Sequence, residues 1–450
     1  MSIKQIKDYL ERFHQGDNEF HAAVTEVAED VLIPDDDYSF SDLQDAFFRI
    51  MEPDRTVKFK VEWFDDKDQI QVNHAWRVQF NNCLGPYKGG LRFHPSVNDS
   101  ILKFLGFEQI FKNALTGLPM GGAKGGSDFN PKGKSEGEIR RFCQSFMTEL
   151  YTYIGPDKDI PAGDIGVGGR EIGYLFGQFL QIKGRHEGII TGKGISFGGS
   201  EIREEATGYG AVYFLNEALK AHDRELKGKR VLVSGSGNVA LYAVEKLLDK
   251  EATTLTVSDS GGTLFFKDGI TRETLEKLKT YKFQDRKRLK DFECSDSEFF
   301  KDEKPWQFDA EIAMPCATQN EIDEKDAKNL LKIKDLVIAE GANMPLTEKA
   351  IQLVVEKNII YLPGKATNAG GVAVSGLERS QNATYDPMTA EEVDSELKNI
   401  MKTIHTNCTS TVNKKDGIYP YKRGANKYAF LKVREALIQL RGESTKGEQS

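Results

Sequence analysis

Residues 229–262 read KRVLVSGSGNVALYAVEKLLDKEATTLTVSDSGG, and the hydrophobic period changes twice along them. Val231, Leu232 and Val233 form a short continuous apolar run suited to a buried strand. Gly235-Ser236-Gly237-Asn238-Val239-Ala240 follows as a tight turn, the next residues carry helical spacing, and LTVSD reads as a second strand. This is one βαβ unit with the dinucleotide fingerprint at its first turn. Gly235 allows the sharp turn and Gly237 lets a pyrophosphate approach the backbone, whose N–H groups at the helix start would hold it. Ala240 in the third position still permits close helix–sheet packing. A glycine match alone is often an ordinary turn; the strand before it and the helix after it give this one weight.

The second strand ends at Asp259, where an acidic side chain would accept hydrogen bonds from ribose hydroxyls and favour NAD. Ser260 follows it, and Lys282, Arg286, Lys287, Arg288 and Lys290 could instead clamp the 2′-phosphate of NADP, although a charge run is more often a solvated helix face. On these residues the cofactor choice is open.

Beyond a charged stretch at 280–305, three more apolar strands appear in EIAMPCA, LVIAEGAN and IIYLPG, the last two separated by the helical TEKAIQLVVEKN. Strand alternating with helix implies a mostly parallel sheet. Towards the N-terminus, Ile3, Ile6, Leu10 and Phe13, then Leu43, Ala46, Phe47 and Ile50, mark amphipathic helices. Val57, Phe59, Val61 and Trp63, then Val72, Trp76, Val78 and Phe80, alternate with polar residues and predict two half-buried strands. Residues 85–200 read as glycine-rich loops and helices. Helices also follow from Val393, Leu397, Ile400, Met401 and Ile404 and from Phe430, Val433, Leu437 and Leu440, before a polar ESTKGEQS tail expected to be disordered.

The chain has 450 residues, 39% apolar and 29% charged, enough for two or three domains, and no apolar run long enough to span a membrane. A net charge of −8 argues against a general nucleic-acid binder. Five scattered cysteines (83, 143, 294, 316, 408) suggest reduced thiols in the cytoplasm. The N-terminus lacks both a signal core and the Arg-rich composition of a transit peptide. The seven histidines show no ligand spacing, so no metal is inferred. Gly194-Ile-Ser196-Phe-Gly198 lacks a nucleophile-elbow context, and Gly121-Gly-Ala-Lys124 is not a Walker loop.

Three lysines fall in or beside glycine-rich segments: Lys88 in GPYKGGLRFHP, Lys112 in FLGFEQIFKNAL and Lys124 in LPMGGAKGG. Each alone would be an ordinary surface charge. Together, several ammonium groups around one cavity would favour a small substrate with more than one carboxylate, and mutual crowding would lower a lysine pKa into the range useful for proton transfer. Phe104, Phe107, Phe111 and Leu115 form a buried stripe, leaving Gln109 and Lys112 together on another face. In PAGDIGVGGREIGY, Asp164 is either a turn residue or the carboxylate partner of such a lysine.

These segments, with IGPDKDIPAGDIGVGGREIGY, EATGYGAVYF, PCATQNE, AEGANMP and NAGGVAVSGLE in the same order, resemble the glutamate dehydrogenase family. The likeness is to the small hexameric type of bacteria and lower eukaryotes, NADP-linked members most of all. It implies interconversion of L-glutamate with 2-oxoglutarate and ammonium, and a homo-oligomer, a hexamer, in the cytoplasm with neither nucleic-acid nor membrane partners. It further implies that Lys124 and Asp164 are catalytic, that Lys88 and Ser375 contact the side-chain carboxylate, and that Gln109 and Lys112 contact the α-carboxylate. Thr207, Gly235, Gly237, Asn238, Val239, Asp259, Ser260, Lys282 and Asn343 would line the cofactor, Thr207 and Asn343 by the nicotinamide carboxamide.

The implied architecture is α/β, with a Rossmann-like nucleotide-binding domain (194–370) and an α/β substrate-binding and assembly domain (1–193) to which the C-terminal helices (371–450) return. A cleft between the domains would hold the chemistry. The NADP-linked members of the family also carry an acidic residue followed by serine at the positions of 259–260, so the resemblance tips the cofactor towards NADP. Glu204 stands where the family usually has proline. A leucine- or phenylalanine-type dehydrogenase shares the lysine pair and the aspartate, but Lys88 and Ser375 speak against its apolar pocket; a non-catalytic nucleotide-binding protein would have no need of Lys124 and Asp164.

Overall fold

The computed structural model describes residues 3–34 and 38–440; the ESTKGEQS tail lies outside them. The chain divides into two compact units, one of Met1–Glu201, Ser375–Thr389 and Asn426–Ser450, the other of Ile202–Val374 and Ala390–Ala425. The first division falls at 201/202 where the sequence reading put 193/194. Ala390–Ala425, expected with the first unit, packs with the second.

The first unit is built on a five-stranded sheet of β1 (Arg55–Phe64), β2 (Ile70–Asn81), β3 (Tyr87–Phe93), β4 (Gly122–Ser127) and β5 (Asp159–Gly163), in the order β1-β2-β4-β3-β5. β1 and β2 are the two expected strands and pair antiparallel. β1 keeps its alternation, whereas β2 is buried on both faces from Ala75 onward, because Phe80 packs on Phe107 on one side and Ala75 joins the core around Phe142 on the other; Val72 is 55% exposed.

β3, β4 and β5 correct the reading of 85–200 as loops and helices. Glycine in these segments serves close approach: a Cβ on Gly89 would lie 1.6 Å from the Ala123 carbonyl oxygen. Phe142 and Phe146, from the helix Glu136–Leu150, pack on Phe93, and Phe142 stacks on Phe129 at 3.8 Å. Burial of each such ring contributes roughly 2–3 kcal/mol. Ser135 starts that helix with a capping box. Among the expected apolar faces, Phe13 and Leu440 are exposed instead.

The second unit holds a seven-stranded sheet of β6 (Arg230–Val233), β7 (Thr253–Asp259), β8 (Gly262–Phe266), β9 (Ser297–Lys301), β10 (Ile312–Met314), β11 (Val337–Ala339) and β12 (Ile360–Leu362). Its order is β12-β11-β10-β6-β7-β8-β9. β6, β7, β10, β11 and β12 run parallel, as expected, while β8, directly after β7, and β9, inside the charged stretch 280–305, add an unexpected antiparallel edge. The chain steps from β6 to β7 on one side and later returns to place β10 on the other. The carboxyl end of β6 is therefore a topological switch point, where doubly wound sheets bind ligands.

Candidate active site

In the first unit, Lys88 lies on β3, Lys124 on β4 and Asp164 just after β5, so three neighbouring strands carry three charged groups separated by many residues in sequence. Lys124 Nζ stands 2.5 Å from Asp164 Oδ2, with side chains only 8% and 16% exposed. A Cβ on Gly90 would fall 3.0 Å from the Asp164 Cβ and 3.3 Å from Lys124 Nζ. Glycine at 90 thus leaves the room this pair occupies.

Arg92 donates from Nε to the same Asp164 oxygen at 3.3 Å. Burial pushes the Asp164 carboxyl up, but Lys124 and Arg92 outweigh it and hold it well below the usual carboxylate range. Burial is also the largest effect on Lys124 and lowers its pKa; Asp164 opposes this, and the positive charges of Arg92 and Arg77 add to it. The sequence reading expected that depression from crowded lysines. The charges responsible are arginines.

Lys88 is buried and donates to Thr191 Oγ1 at 2.8 Å. The helix Asp99–Leu115, capped by Asn98, lies against β4 because Gly106 and Gly122 remove the side chains that would hold it off; a Cβ on Gly122 would sit 2.5 Å from the Ile110 side chain. Its expected stripe of Phe104, Phe107, Phe111 and Leu115 is buried, leaving Gln109 and Lys112 half-buried on another face. Gln109 donates to Asn113 Oδ1 at 2.7 Å, and Asn113 donates to the Lys88 carbonyl at 3.1 Å, so one helix registers against β3. Ser375, buried on the helix Gly370–Thr384, belongs to the same unit.

Sequence reasoning passed over Arg92, Thr191 and Arg77. Arg77 is fully buried, pairs with Asp159 and donates to the Gly89 carbonyl at 3.0 Å, bracing the backbone beside Lys88. Arg92 sits inside the quoted GPYKGGLRFHP, so its position two residues after the glycines was the available signal.

In the second unit, Gly235, Gly237, Asn238 and Val239 form the turn from β6 into the helix Asn238–Asp249. Gly235 has φ +88°, and a Cβ there would lie 3.0 Å from the Cys316 carbonyl. Gly237 is the N-cap, has no side chain to satisfy the helix N–H groups, and has open space where a Cβ would stand. This cradle fits the pyrophosphate of a dinucleotide.

Asp259 accepts from the backbone N–H groups of Gly261 and Leu289, each at 2.9 Å, with Lys282 Nζ 3.6 Å away. Its carboxylate therefore organises the loop. Arg288 donates to Ser260 Oγ at 2.5 Å, so the end of β7 presents a hydroxyl bonded to one cation, with a second beside the adjacent Asp259, an arrangement that fits a 2′-phosphate. Lys282 lies in the π-helical turn Thr280–Gln284 that continues the helix Arg272–Lys279, and its side chain is largely buried rather than on a solvated face. Thr207 opens the helix Ala206–Lys220, with room made by Gly371, whose Cβ would fall 2.6 Å from Thr207 Oγ1. Asn343, after β11, accepts from Asn368 Nδ2 at 2.9 Å. Glu204 is exposed just before that helix. No group of metal-ligating side chains occurs among the described residues.

Known proteins resemble this chain in sequence and in fold. The family model of glutamate/leucine/phenylalanine/valine dehydrogenase matches residues 198–442, and that of the dimerisation domain of these dehydrogenases matches residues 53–181. An NADP-specific glutamate dehydrogenase of Psychrobacter sp. (strain TAD1) is 52% identical over 443 residues, which is 97% of this chain and 99% of that protein. An NAD(P)-specific glutamate dehydrogenase of Xylanibacter ruminicola is 50% identical over 439 residues, 97% of this chain and 99% of its own. Among solved structures, glutamate dehydrogenase of Plasmodium falciparum matches with a TM-score of 0.93 at 48% identity, covering 97% of this chain and 94% of that one.

Proposed function

We infer the chemistry from the premise that this chain belongs to the glutamate/leucine/phenylalanine/valine dehydrogenase family. It catalyses the reversible NAD(P)-linked oxidative deamination of L-glutamate to 2-oxoglutarate and ammonia. The observation that carries the residue-level reading is the buried Lys124–Asp164 pair with a second buried lysine, Lys88, on the neighbouring strand.

Lys88 and Ser375 hold the side-chain carboxylate of glutamate, and Gln109 and Lys112 hold the α-carboxylate. Gripping the substrate at both ends fixes its α-carbon, which is worth more to the rate than affinity alone. Asp164, kept ionised by its two cationic neighbours, takes a proton from the substrate ammonium. Gly235, Gly237, Asn238 and Val239 would hold NAD(P)⁺, with Thr207 and Asn343 towards its carboxamide, and the bound dinucleotide would supply the acceptor for the hydride of the α-carbon. Lys124, its pKa lowered by burial, serves as the base that takes a proton from water attacking the imino carbon of the substrate, and proton return to nitrogen releases ammonia.

NADP is the preferred cofactor, supported by Arg288 and Lys282 beside Ser260 and Asp259. The chain acts as a homo-oligomer, a hexamer, in the cytoplasm. The dimerisation-domain match supports assembly; free cysteines, and the absence among the described residues of a helix long and apolar enough to cross a membrane, support the compartment. Initial rates with 2-oxoglutarate and ammonium saturating, NADPH and NADH side by side, test the reading. Faster NADPH oxidation is expected; no rate with either cofactor would refute it, and sedimentation of the active species tests the hexamer.

A further inference from the structure

Lys193 and Glu378 form an ion pair 2.8 Å apart with both side chains fully buried, and the proposed chemistry makes no use of it. Burying two charges costs so much desolvation that apolar replacements are often as stable, so stability alone is a poor reason for the pair. Its hydrogen bonds give a better one. Glu378 Oε2 accepts the N–H of Gly192 at 2.8 Å, while Oε1 accepts the N–H of Lys193 at 3.3 Å and its Nζ at 2.8 Å. Lys193 Nζ also donates to the Ile190 carbonyl at 2.5 Å. Residues 190–193 are thereby folded around one carboxylate, with Gly192 at φ +89°, a conformation that favours glycine.

The residue held in the middle of this loop is Thr191. Its N–H donates to the Pro161 carbonyl at 3.0 Å, continuing the pairing beside β5, and its Oγ1 accepts from Lys88 Nζ at 2.8 Å. At the other end, Glu378 lies three residues after Ser375 on the helix Gly370–Thr384, on the same helical face. One buried carboxylate therefore ties the loop that holds Lys88 to the helix that carries Ser375. Glu378 also neutralises Lys193, so the loop adds no unpaired positive charge of its own.

We propose that Glu378, through its pairing with Lys193, is a positioning residue that registers Lys88 with Ser375 and so sets the preference for a substrate whose side chain ends in a carboxylate. This rests on the reading that Lys88 and Ser375 hold that carboxylate. The test compares kcat/KM for L-glutamate and for norvaline, which has a methyl group in place of the side-chain carboxylate. The proteins are the parent, Lys88→Met, and the double variant Lys193→Met/Glu378→Gln, which removes both buried charges together.

The double variant should lose about tenfold or more in kcat/KM for glutamate while norvaline changes by less than about twofold, because a misplaced contact costs orientation only where that contact is made. If Lys88→Met lowers the glutamate-to-norvaline ratio but the double variant lowers both substrates equally, or neither, the proposal is overturned and the underlying reading stands. If Lys88→Met leaves the ratio unchanged, the reading of Lys88 fails and takes the proposal with it. Should the double variant not fold, Glu378→Asp, which keeps both charges and draws the carboxylate back by one methylene, must lower the same ratio; an unchanged ratio overturns the proposal.

Discussion

Acid should loosen the second unit through one histidine. His405, on the helix Ala390–Ser410, accepts or donates at Nε2 with the Tyr421 hydroxyl at 3.0 Å and lies edge-on to Phe214, which is on the helix that Thr207 opens. Burial lowers its pKa from 6.5 to about 4; Glu217 opposes the shift and His222 adds to it. A base whose folded pKa is depressed contributes stability above its unfolded pKa and loses it as pH falls through the folded value. The window is therefore from 6.5 down to about 4.

At about 1.4 kcal/mol per pKa unit, the folded unit should lose about 3 kcal/mol across that window from His405 alone. Urea unfolding followed at several pH values reads it. The informative quantity is the difference in pH dependence between the parent and His405→Gln, which cannot charge but keeps a hydrogen-bonding group. The variant should be less stable at neutral pH yet lose markedly less stability on acidification. Parallel pH curves for the two proteins would refute the assignment.

Three further outcomes follow from the same geometry. Arg92→Gln removes a cation that lowers the Lys124 pKa, so the acid limb of the kcat/KM profile for glutamate oxidation should move to higher pH; an equal loss at every pH would mean Arg92 acts only as scaffold. Arg288→Ala should lower kcat/KM for NADPH by about tenfold, the value of one charge-assisted hydrogen bond, and leave NADH nearly unchanged, as measured by paired initial rates. Gly89→Ala, whose Cβ would meet a backbone carbonyl at 1.6 Å, should yield little folded protein, visible as loss of soluble enzyme or a sharply lowered Tm.

Legibility followed the physics of each segment. The β6 turn could be read because its strand, glycines and helix are contiguous and every local preference agrees with the fold. β10, β11 and β12 could be read as short apolar runs. β3 and β4 could not: GPYKGGLRF and GGAKGG are built from residues with poor strand propensity, and they pair only because glycine lets backbones and the helix Asp99–Leu115 approach. Lys88, Lys124 and Asp164 stood out by residue type, but their meeting on adjacent strands depends on parallel pairings that no periodicity encodes. Thr191 gave no signal for the same reason, and Arg92 only its place beside the glycines, since their roles exist only through partners 103 and 72 positions away. Asp259 shows the opposite case: its place at the end of β7 was legible, while the two backbone N–H groups it accepts from were not.

The central claim is that the Lys124 amine does the proton work at the substrate carbon. Lys124→Ala should still fold, because Arg92 remains to neutralise Asp164. In reductive amination with NADPH, 2-oxoglutarate and ammonium, its kcat should fall by roughly 10²- to 10⁴-fold with substrate binding retained. A variant that keeps near-parental kcat would contradict the account.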